Sequence, residues 1–253
     1  MKGHSKMMKI TLILLAIGLI GYLITWGVIA YLGRSQALTV RSIENPSGDL
    51  YLIHLKKPKN MTWEPGSYAK VTLPEAEESG QKSRWLTLAS NSDENEILLL
   101  THKGSSSFKK HLTSLSVGSK VKINWIESSL KIKDKQTPLV CFASDVGIAA
   151  LRPLALKQAG KREIVLNHLD KGVNVFDEEM KGLANQESLF TYDRSASLSQ
   201  SKASLEKAVK KYGNRGTYLV AGQPDDVKAM KAFLADQSIT ADRIKSETFR
   251  GLT

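Results

Sequence analysis

Beyond residue 35, the hydrophobic pattern of the chain changes once, at residues 131–136, and this change constrains the fold more than any other feature. From Gln36 to Ile132, apolar and polar residues alternate in short runs that are typical of half-buried β-strands. Turn residues such as Pro65-Gly66 separate the runs, which cover residues 37–43, 50–55, 68–73, 85–89, 97–101 and 120–125. Six short strands at this spacing predict a small antiparallel β-barrel over residues 36–132.

Beyond residue 136, buried strands alternate with amphipathic helices. The strand patterns lie at 139–143, 163–169, 189–192 and 218–221, and the helical patterns lie near 149–159, 177–184, 201–212 and 225–236. This alternation predicts a parallel sheet covered by helices on both faces. The predicted fold class is therefore α+β with two domains: the barrel, and a βαβ nucleotide-binding type of domain over residues 137–253.

An apolar run without charges, from Ile10 to Leu32, precedes both domains and is long enough to cross a bilayer core as a helix. Tyr22, Trp26 and Tyr31 lie in its second half, where aromatic rings suit the membrane interface. A cleavable signal peptide is the alternative, but the run is long for its apolar region and no clear A-x-A cleavage site follows. Residues 1–35 are therefore predicted to be an N-terminal tail and a retained single-pass anchor in the cell membrane.

The charges that flank this run bear on its orientation. Lys2, Lys6 and Lys9 precede the run, whereas Arg34 and Arg41 follow it. The positive-inside rule then favours a cytoplasmic N-terminus and an exported body. The difference in positive charge between the two flanks is small, so the sequence does not decide on which side of the membrane the body lies.

Composition excludes some classes of site. The net charge of +11 is compatible with an anionic membrane, nucleic acid or an anionic substrate, but no arginine-rich run or nucleic-acid motif is present, so no nucleic-acid partner is predicted. Cys141 is the one cysteine and the five histidines are scattered, which disfavours disulfides and a metal or haem site. No G-x-S-x-G elbow is present, which disfavours hydrolysis.

Two features point to an anionic ligand. Arg84 lies in a predicted half-buried strand, where a guanidinium is costly unless it meets an anion such as phosphate. The turn Gly104-Ser105-Ser106-Ser107 opens a predicted helix over residues 107–115, and free N–H groups at a helix start bind anions. Each feature has an ordinary alternative when taken alone. Arg84 could be a surface arginine on an edge strand, and the serine turn could be an ordinary N-cap.

These motifs, with Pro65-Gly66-Ser67-Tyr68 and the order of barrel and βαβ domain, resemble the ferredoxin–NADP⁺ reductase superfamily over roughly residues 37–253. The resemblance implies that the strand Arg84-Trp85-Leu86-Thr87 binds FAD. Arg84 would bind the pyrophosphate and Thr87 would lie at the reactive edge of the flavin ring. Leu86 stands where the family usually has tyrosine, so stacking would come from Trp85 or another aromatic. Ser107 resembles the phosphate-binding serine of the family.

The second domain resembles the family less closely. Gly147 and Ile148 match the end of its glycine-rich turn, but Asp145 would repel a pyrophosphate. Gly222 matches the loop near the nicotinamide, and Ala221 replaces the cysteine of that loop. Glu247 and Phe249 resemble a terminal E-x-F segment that closes against the flavin; the alternative is a plain last strand with Phe249 in the core.

The resemblance implies a membrane-anchored, FAD-dependent oxidoreductase of the ferric-reductase or ferredoxin-reductase type. Electrons would pass from NAD(P)H through the flavin to a haem, a quinone, an iron chelate or a redox partner protein. Thr87 and Glu247 are the candidate catalytic residues. The alternative, favoured by Asp145, by Ala221 and by the charges around the apolar run, is a flavin-binding or scaffold subunit that no longer uses nicotinamide. A third possibility, a membrane-tethered protein that binds nucleic acid, is supported by the net positive charge alone.

Overall fold

The computed structural model describes residues 2–32, 35–74, 82–132, 134 and 136–249. Arg34, residues 133 and 135 between the two predicted domains, and the residues after Phe249 lie outside the described residues. The first element is a long helix, α1 (Lys2–Leu32), whose stretch Leu12–Ala30 is long and apolar enough to cross a membrane.

Six antiparallel strands follow, and each corresponds to one of the predicted runs. They are β1 (Gln36–Ser47), β2 (Leu50–Lys56), β3 (Tyr68–Thr72), β4 (Ser83–Thr87), β5 (Glu96–His102) and β6 (Lys120–Glu127). Their order in the sheet is β4-β3-β6-β1-β2-β5. The two edge strands of this sheet are β4 and β5. They are linked just beyond the end of β4, where the Ala89 N–H donates to Leu98 O at 2.8 Å. The helix α2 (Ser107–Thr113) packs Phe108 and Leu112 into the core of this barrel.

The second sheet is parallel, in the order β11-β10-β7-β8-β9. Its strands are β7 (Leu139–Ser144), β8 (Ile164–Leu169), β9 (Phe190–Ser195), β10 (Thr217–Gly222) and β11 (Ile244–Thr248). The helices are α3 (Ile148–Gln158), α4 (Asp177–Gln186), α5 (Leu198–Tyr212) and α6 (Pro224–Asp236). The helix α5 begins before the predicted Ser201 because the Ser197 side chain caps it, accepting from the Gln200 N–H at 3.3 Å.

One hydrophobic cluster crosses from the barrel to the second sheet. Leu50, Leu52, Leu98 and Leu100 on β2 and β5 are buried with the apolar side chains of β7 and α3. Side chains alternate along these strands, so the same strands also supply Ile53 and Leu99 to the barrel core. The barrel wall is thus buried on both faces where it meets the second sheet. The strand predictions and the α+β fold class are confirmed.

Candidate functional site

A cleft of about 620 Å³ lies between the barrel and the C-terminal strand β11. We call it the β4 cleft, because all five residues of β4, Ser83–Thr87, line it. The segment from β5 to α2 contributes Leu100, Thr101 and Lys109, and the C-terminal segment contributes residues 246–249. Residues far apart in sequence therefore meet around one space.

Three cations, Lys70, Arg84 and Lys109, line this cleft. Arg84 is exposed on β4, so the expectation of a half-buried and therefore costly guanidinium was wrong, whereas Lys109 is buried in the first turn of α2. Burial lowers the pKa of Lys109, and the nearby positive charge of Arg84 lowers it further, against the opposing effect of Asp145. Like charges that repel across a cleft favour an anion between them, because the anion attracts both.

The predicted phosphate-binding turn lies beside this pair. Gly104 has a φ of +55°, and Ser106 caps α2 by accepting from the Lys109 N–H at 3.3 Å. Among the residues that the structure describes around the cleft, this segment contributes residues 100, 101 and 109 but none of 104–107. The structure therefore brings Arg84 together with Lys109, which sequence reasoning missed, whereas Ser105 and Ser107 lie in the adjoining turn rather than in the wall.

The opposite part of the cleft contains a buried carboxyl group. Thr87 Oγ1 donates to Glu247 Oε1 at 2.5 Å, and Ser129 Oγ donates to Glu247 Oε2 at 3.2 Å. Burial raises the pKa of Glu247 to about 7, although both hydroxyl groups favour its ionised form. Glu247 lies on β11, opposite Ala221 of the parallel strand β10. The last strand thus brings the two candidate catalytic residues into contact.

Aromatic rings form part of the same wall. Trp85 is 48% exposed, and its ring meets that of Tyr68 edge to face, with centroids 5.4 Å apart. Leu86 is half-buried against the barrel core. An exposed indole in the wall of the cleft can cover one face of a planar ligand. Phe249 is partly buried against the core cluster at the domain junction, and its N–H donates to Gly222 O at 2.9 Å.

A second polar group lies at the turn after β7, where Asp145 has a φ of +56° and is 2% exposed. His102 Nε2 lies 2.6 Å from Asp145 Oδ1, and Gln223 donates to Oδ2 at 2.8 Å. The hydrogen bond to Asp145 raises the pKa of His102 against the effect of burial, and Asp49, 2.8 Å from Nδ1, raises it further. Burial opposes ionisation of Asp145, but the bonds from His102 and Gln223 outweigh it and lower its pKa.

The predicted nucleotide-binding glycines pack against this turn. A Cβ on Gly147 would lie 2.3 Å from Ala221 O, and a Cβ on Gly222, whose φ is +143°, would lie 2.2 Å from Ser144 Oγ. Both glycines therefore allow the ends of β7 and β10 to approach closely. Ile148 is a buried core residue at the start of α3.

Comparison with solved structures identifies the architecture. A ferredoxin NADP⁺ reductase from Neisseria gonorrhoeae, with bound FAD and NADP, superposes with a TM-score of 0.69 at 13% identity, covering 85% of this chain and 98% of that chain. A cytochrome P450 reductase, GcoB, from Amycolatopsis gives 0.70 at 18% identity, covering 85% and 70%. A flavohemoglobin from Malassezia yamatoensis with FAD and heme gives 0.69 at 13%, covering 88% and 63%. The chain has the two-domain fold of the ferredoxin–NADP⁺ reductases. No protein-family model and no curated protein matches the sequence.

Within this ferredoxin-reductase fold, a buried arginine joins the two domains. Arg152 of α3 donates to Ala89 O of the barrel at 2.7 Å and to both oxygens of Glu94 at 3.1 Å. It also donates to both oxygens of Glu179 of α4, at 2.6 and 2.7 Å, and its guanidinium lies 5.0 Å from the centre of the Phe176 ring. We call these residues the Arg152 cluster. Sequence reasoning missed it, because its partners are far apart in the chain.

His102 and Ser129 were also missed, and a signal existed for one of them. His102 follows the predicted strand at 97–101 and stands two residues before Gly104, so it could have been placed beside the predicted phosphate site. Ser129 follows β6 in an ordinary loop sequence with no distinguishing pattern. Among the described residues, no group of three or more His, Cys, Asp or Glu side chains is arranged to hold a metal ion.

Proposed function

We propose that this chain is a membrane-anchored flavoprotein oxidoreductase that binds FAD in the β4 cleft. The observation that carries the proposal is the cleft itself, with cations in one part and a buried threonine–glutamate pair in another. Its volume of about 620 Å³ falls within the range of roughly 300–1,000 Å³ that ligand pockets occupy.

The residues of the cleft suit two parts of FAD, the pyrophosphate and the flavin ring. Arg84 and Lys109 would bind the pyrophosphate, because its negative charge relieves their mutual repulsion. Trp85 would cover the ring, and Thr87 and Glu247 would lie at its edge. A bound flavin supplies transfer of a hydride and of single electrons. Glu247, with a pKa of about 7, can hold or release a proton at its carboxyl oxygens near neutral pH.

The electron donor in this proposal is NAD(P)H, presented by the parallel-sheet domain. The stretch Leu12–Ala30 would anchor the chain in the cell membrane, so that the acceptor is a molecule in or at the membrane. The positive charges around this stretch favour an exported body, which would meet little NAD(P)H, so they support the second candidate below rather than this donor.

An absorbance spectrum of the purified full-length protein, taken before and after addition of NADH or NADPH, tests the proposal. A flavin spectrum that either nucleotide bleaches supports it. A protein that stays colourless after FAD is supplied contradicts it.

One observation favours a second candidate, a flavin-binding subunit that does not use nicotinamide. The Asp145 carboxylate, with His102 and Gln223 bonded to it, fills the turn that a dinucleotide phosphate would approach. A flavin spectrum that dithionite bleaches but neither nucleotide does would support this candidate.

Substitution Asp145→Gly separates the two candidates further. Glycine accepts the φ of +56° without strain, and the change removes a negative charge, so nucleotide binding should strengthen if the carboxylate alone blocks it. Ser238→Gly is the matched control, because Ser238 also has a positive φ, of 62°, and lies in the turn after α6. Unchanged nucleotide binding in Asp145→Gly would mean that the carboxylate is not the obstacle.

A further inference from the structure

A second cleft, of about 930 Å³, lies on the other side of strand β3 from the β4 cleft. We call it the β6 cleft, because residues 123–128 of β6 and the loop after it form one wall. The loop before β3 forms the other wall, with Met61, Trp63 and Ser67. The proposed function assigns no role to this cleft.

The position of the β6 cleft relates it to the membrane. Gln36, the first residue of β1, is part of its lining. The helix α1 ends at Leu32, so the chain from the helix to the cleft at Gln36 is only four residue steps long. Four residues span at most about 14 Å even when fully extended. The rim of the cleft must therefore lie close to the membrane surface if α1 spans the bilayer.

One residue of the cleft is held in a costly conformation. Trp125 has a φ of +49°, at a β-bulge where residues 125 and 126 of β6 both lie opposite Ala69 of β3. A positive φ in a non-glycine residue costs about 1–3 kcal/mol and persists only where the surroundings impose it. The Asn124 amide, with its oxygen toward the indole, accepts from Trp125 Nε1 at 3.1 Å and fixes the ring. Such a fixed ring, half-buried in a cleft, is suited to contact with a planar ligand.

The other lining groups restrict the chemistry of that ligand. Met61 and Trp63 add an apolar, polarisable surface next to hydrogen-bond donors such as the Asn60 amide. The charged groups in the lining are Glu64, Glu127 and Lys131, an excess of one negative charge, which disfavours an anion such as a nucleotide or an acidic lipid headgroup. A neutral planar ring that accepts hydrogen bonds fits best.

The two clefts share a thin wall. Tyr68 lines the β4 cleft, and its hydroxyl donates to Glu127, a lining residue of the β6 cleft, at 3.3 Å. Ser128 lines the β6 cleft, and the next residue, Ser129, lines the β4 cleft and bonds to Glu247. A molecule in the β6 cleft would thus be separated from the Thr87–Glu247 part of the β4 cleft by about one layer of side chains.

We propose that the β6 cleft binds the ring of a membrane-soluble quinone, which is the electron acceptor of the proposed oxidoreductase. This inference rests on the proposed function for its redox role. The balanced reaction is NAD(P)H + quinone + H⁺ → NAD(P)⁺ + quinol. The two electrons and one proton come from the hydride, and the second proton comes from solvent.

Photoaffinity labelling tests the site directly. The full-length protein, in phospholipid nanodiscs, is irradiated with an azido-benzoquinone that carries a decyl chain, and labelled peptides are mapped with and without competing decylubiquinone. The expected result is competed labelling within residues 60–67 and 123–131. Trp125→Gly should lower the apparent affinity about ten-fold, as the loss of an aromatic contact implies. Glycine accepts the positive φ, so this variant should fold.

Val117→Ala is the matched control, because Val117 is a highly exposed apolar residue of the same barrel, in the turn before β6. It should label like the unsubstituted protein. Labelling confined to α1, labelling that decylubiquinone does not compete, or equal affinity in Trp125→Gly would overturn the proposal. The flavin spectrum of the same samples reports on the proposed function separately, since quinone labelling does not require bound FAD.

Discussion

The buried carboxyl group of Glu247 should make the stability of the folded chain depend on pH in an unusual direction. A carboxyl whose pKa is higher in the folded chain than in the unfolded chain binds its proton more tightly when folded. The free energy of unfolding should therefore fall as the pH rises from the ordinary pKa of 4.5 to the folded value of about 7, and stay low above it. Between these two pH values the free energy of unfolding should fall by about 3 kcal/mol, at 1.36 kcal/mol per pKa unit.

Substitution Glu247→Gln should remove this dependence. A neutral amide has nearly the shape of the protonated carboxyl, and its oxygen can still accept from Thr87 Oγ1. Below pH 4.5 the variant and the unsubstituted protein should unfold at similar temperatures. At pH 8 the variant should be more stable by about 3 kcal/mol, which corresponds to a difference of about 6–12 °C in Tm for a chain of this size.

The assay is thermal unfolding of the full-length protein in detergent, followed by circular dichroism between pH 4 and pH 8.5 with the flavin removed. Glu178→Gln controls for the loss of one negative charge, because the Glu178 side chain is 90% exposed. If the difference in Tm between Glu247→Gln and the unsubstituted protein is the same at pH 4 and pH 8, the reasoning about burial of this carboxyl is wrong.

Two further predictions concern arginines. Arg84→Ala should weaken FAD binding by about 1.5–3 kcal/mol, the range for a hydrogen bond to a charged group, as measured by fluorescence titration; Arg41→Ala, which removes an exposed arginine paired with Glu96, should leave it unchanged. Arg152→Met should lower the free energy of unfolding by about 3 kcal/mol, the low end for breaking a buried ion pair, because solvent reaches the glutamates that it leaves behind. Lys157→Met, at an exposed pair, should change it by less than about 1 kcal/mol in the same chemical denaturation. An equal loss of free energy of unfolding in Arg152→Met and Lys157→Met would contradict the role of the Arg152 cluster.

Local patterns predicted the strands well, because each strand buries side chains with a period of two. The runs at residues 50–55 and 97–101 became β2 and β5, and the buried runs after residue 136 became a parallel sheet. The last strand, β11, was expected only as an alternative, since Ile244–Thr248 has half-buried side chains and no clear alternation.

The candidate site was predicted in part. Arg84, Thr87 and Glu247 could be singled out from the resemblance, and the structure places all three along one cleft. The contact of Thr87 with Glu247 joins residues 160 positions apart, and no local pattern encodes such a pair.

Asp145 is a second residue whose partner could not be predicted from local sequence patterns. Its mismatch to a phosphate site was evident from its charge, but its partner His102 lies 43 positions away. The pairing depends on how the barrel meets the second sheet. Periodicity reports which face of an element is buried but not which element covers it.

The hydrophobic cluster that crosses the domain junction has a consequence for dissection of the chain. A cut at residues 133–136 would leave the barrel with Leu50, Leu52, Leu98 and Leu100 facing water, together with an unpaired Glu94. Such a fragment would self-associate rather than remain a monomer. We therefore expect the barrel and the parallel sheet to fold and to be degraded as one unit. Neither half should be usable as an independent domain in a fusion protein.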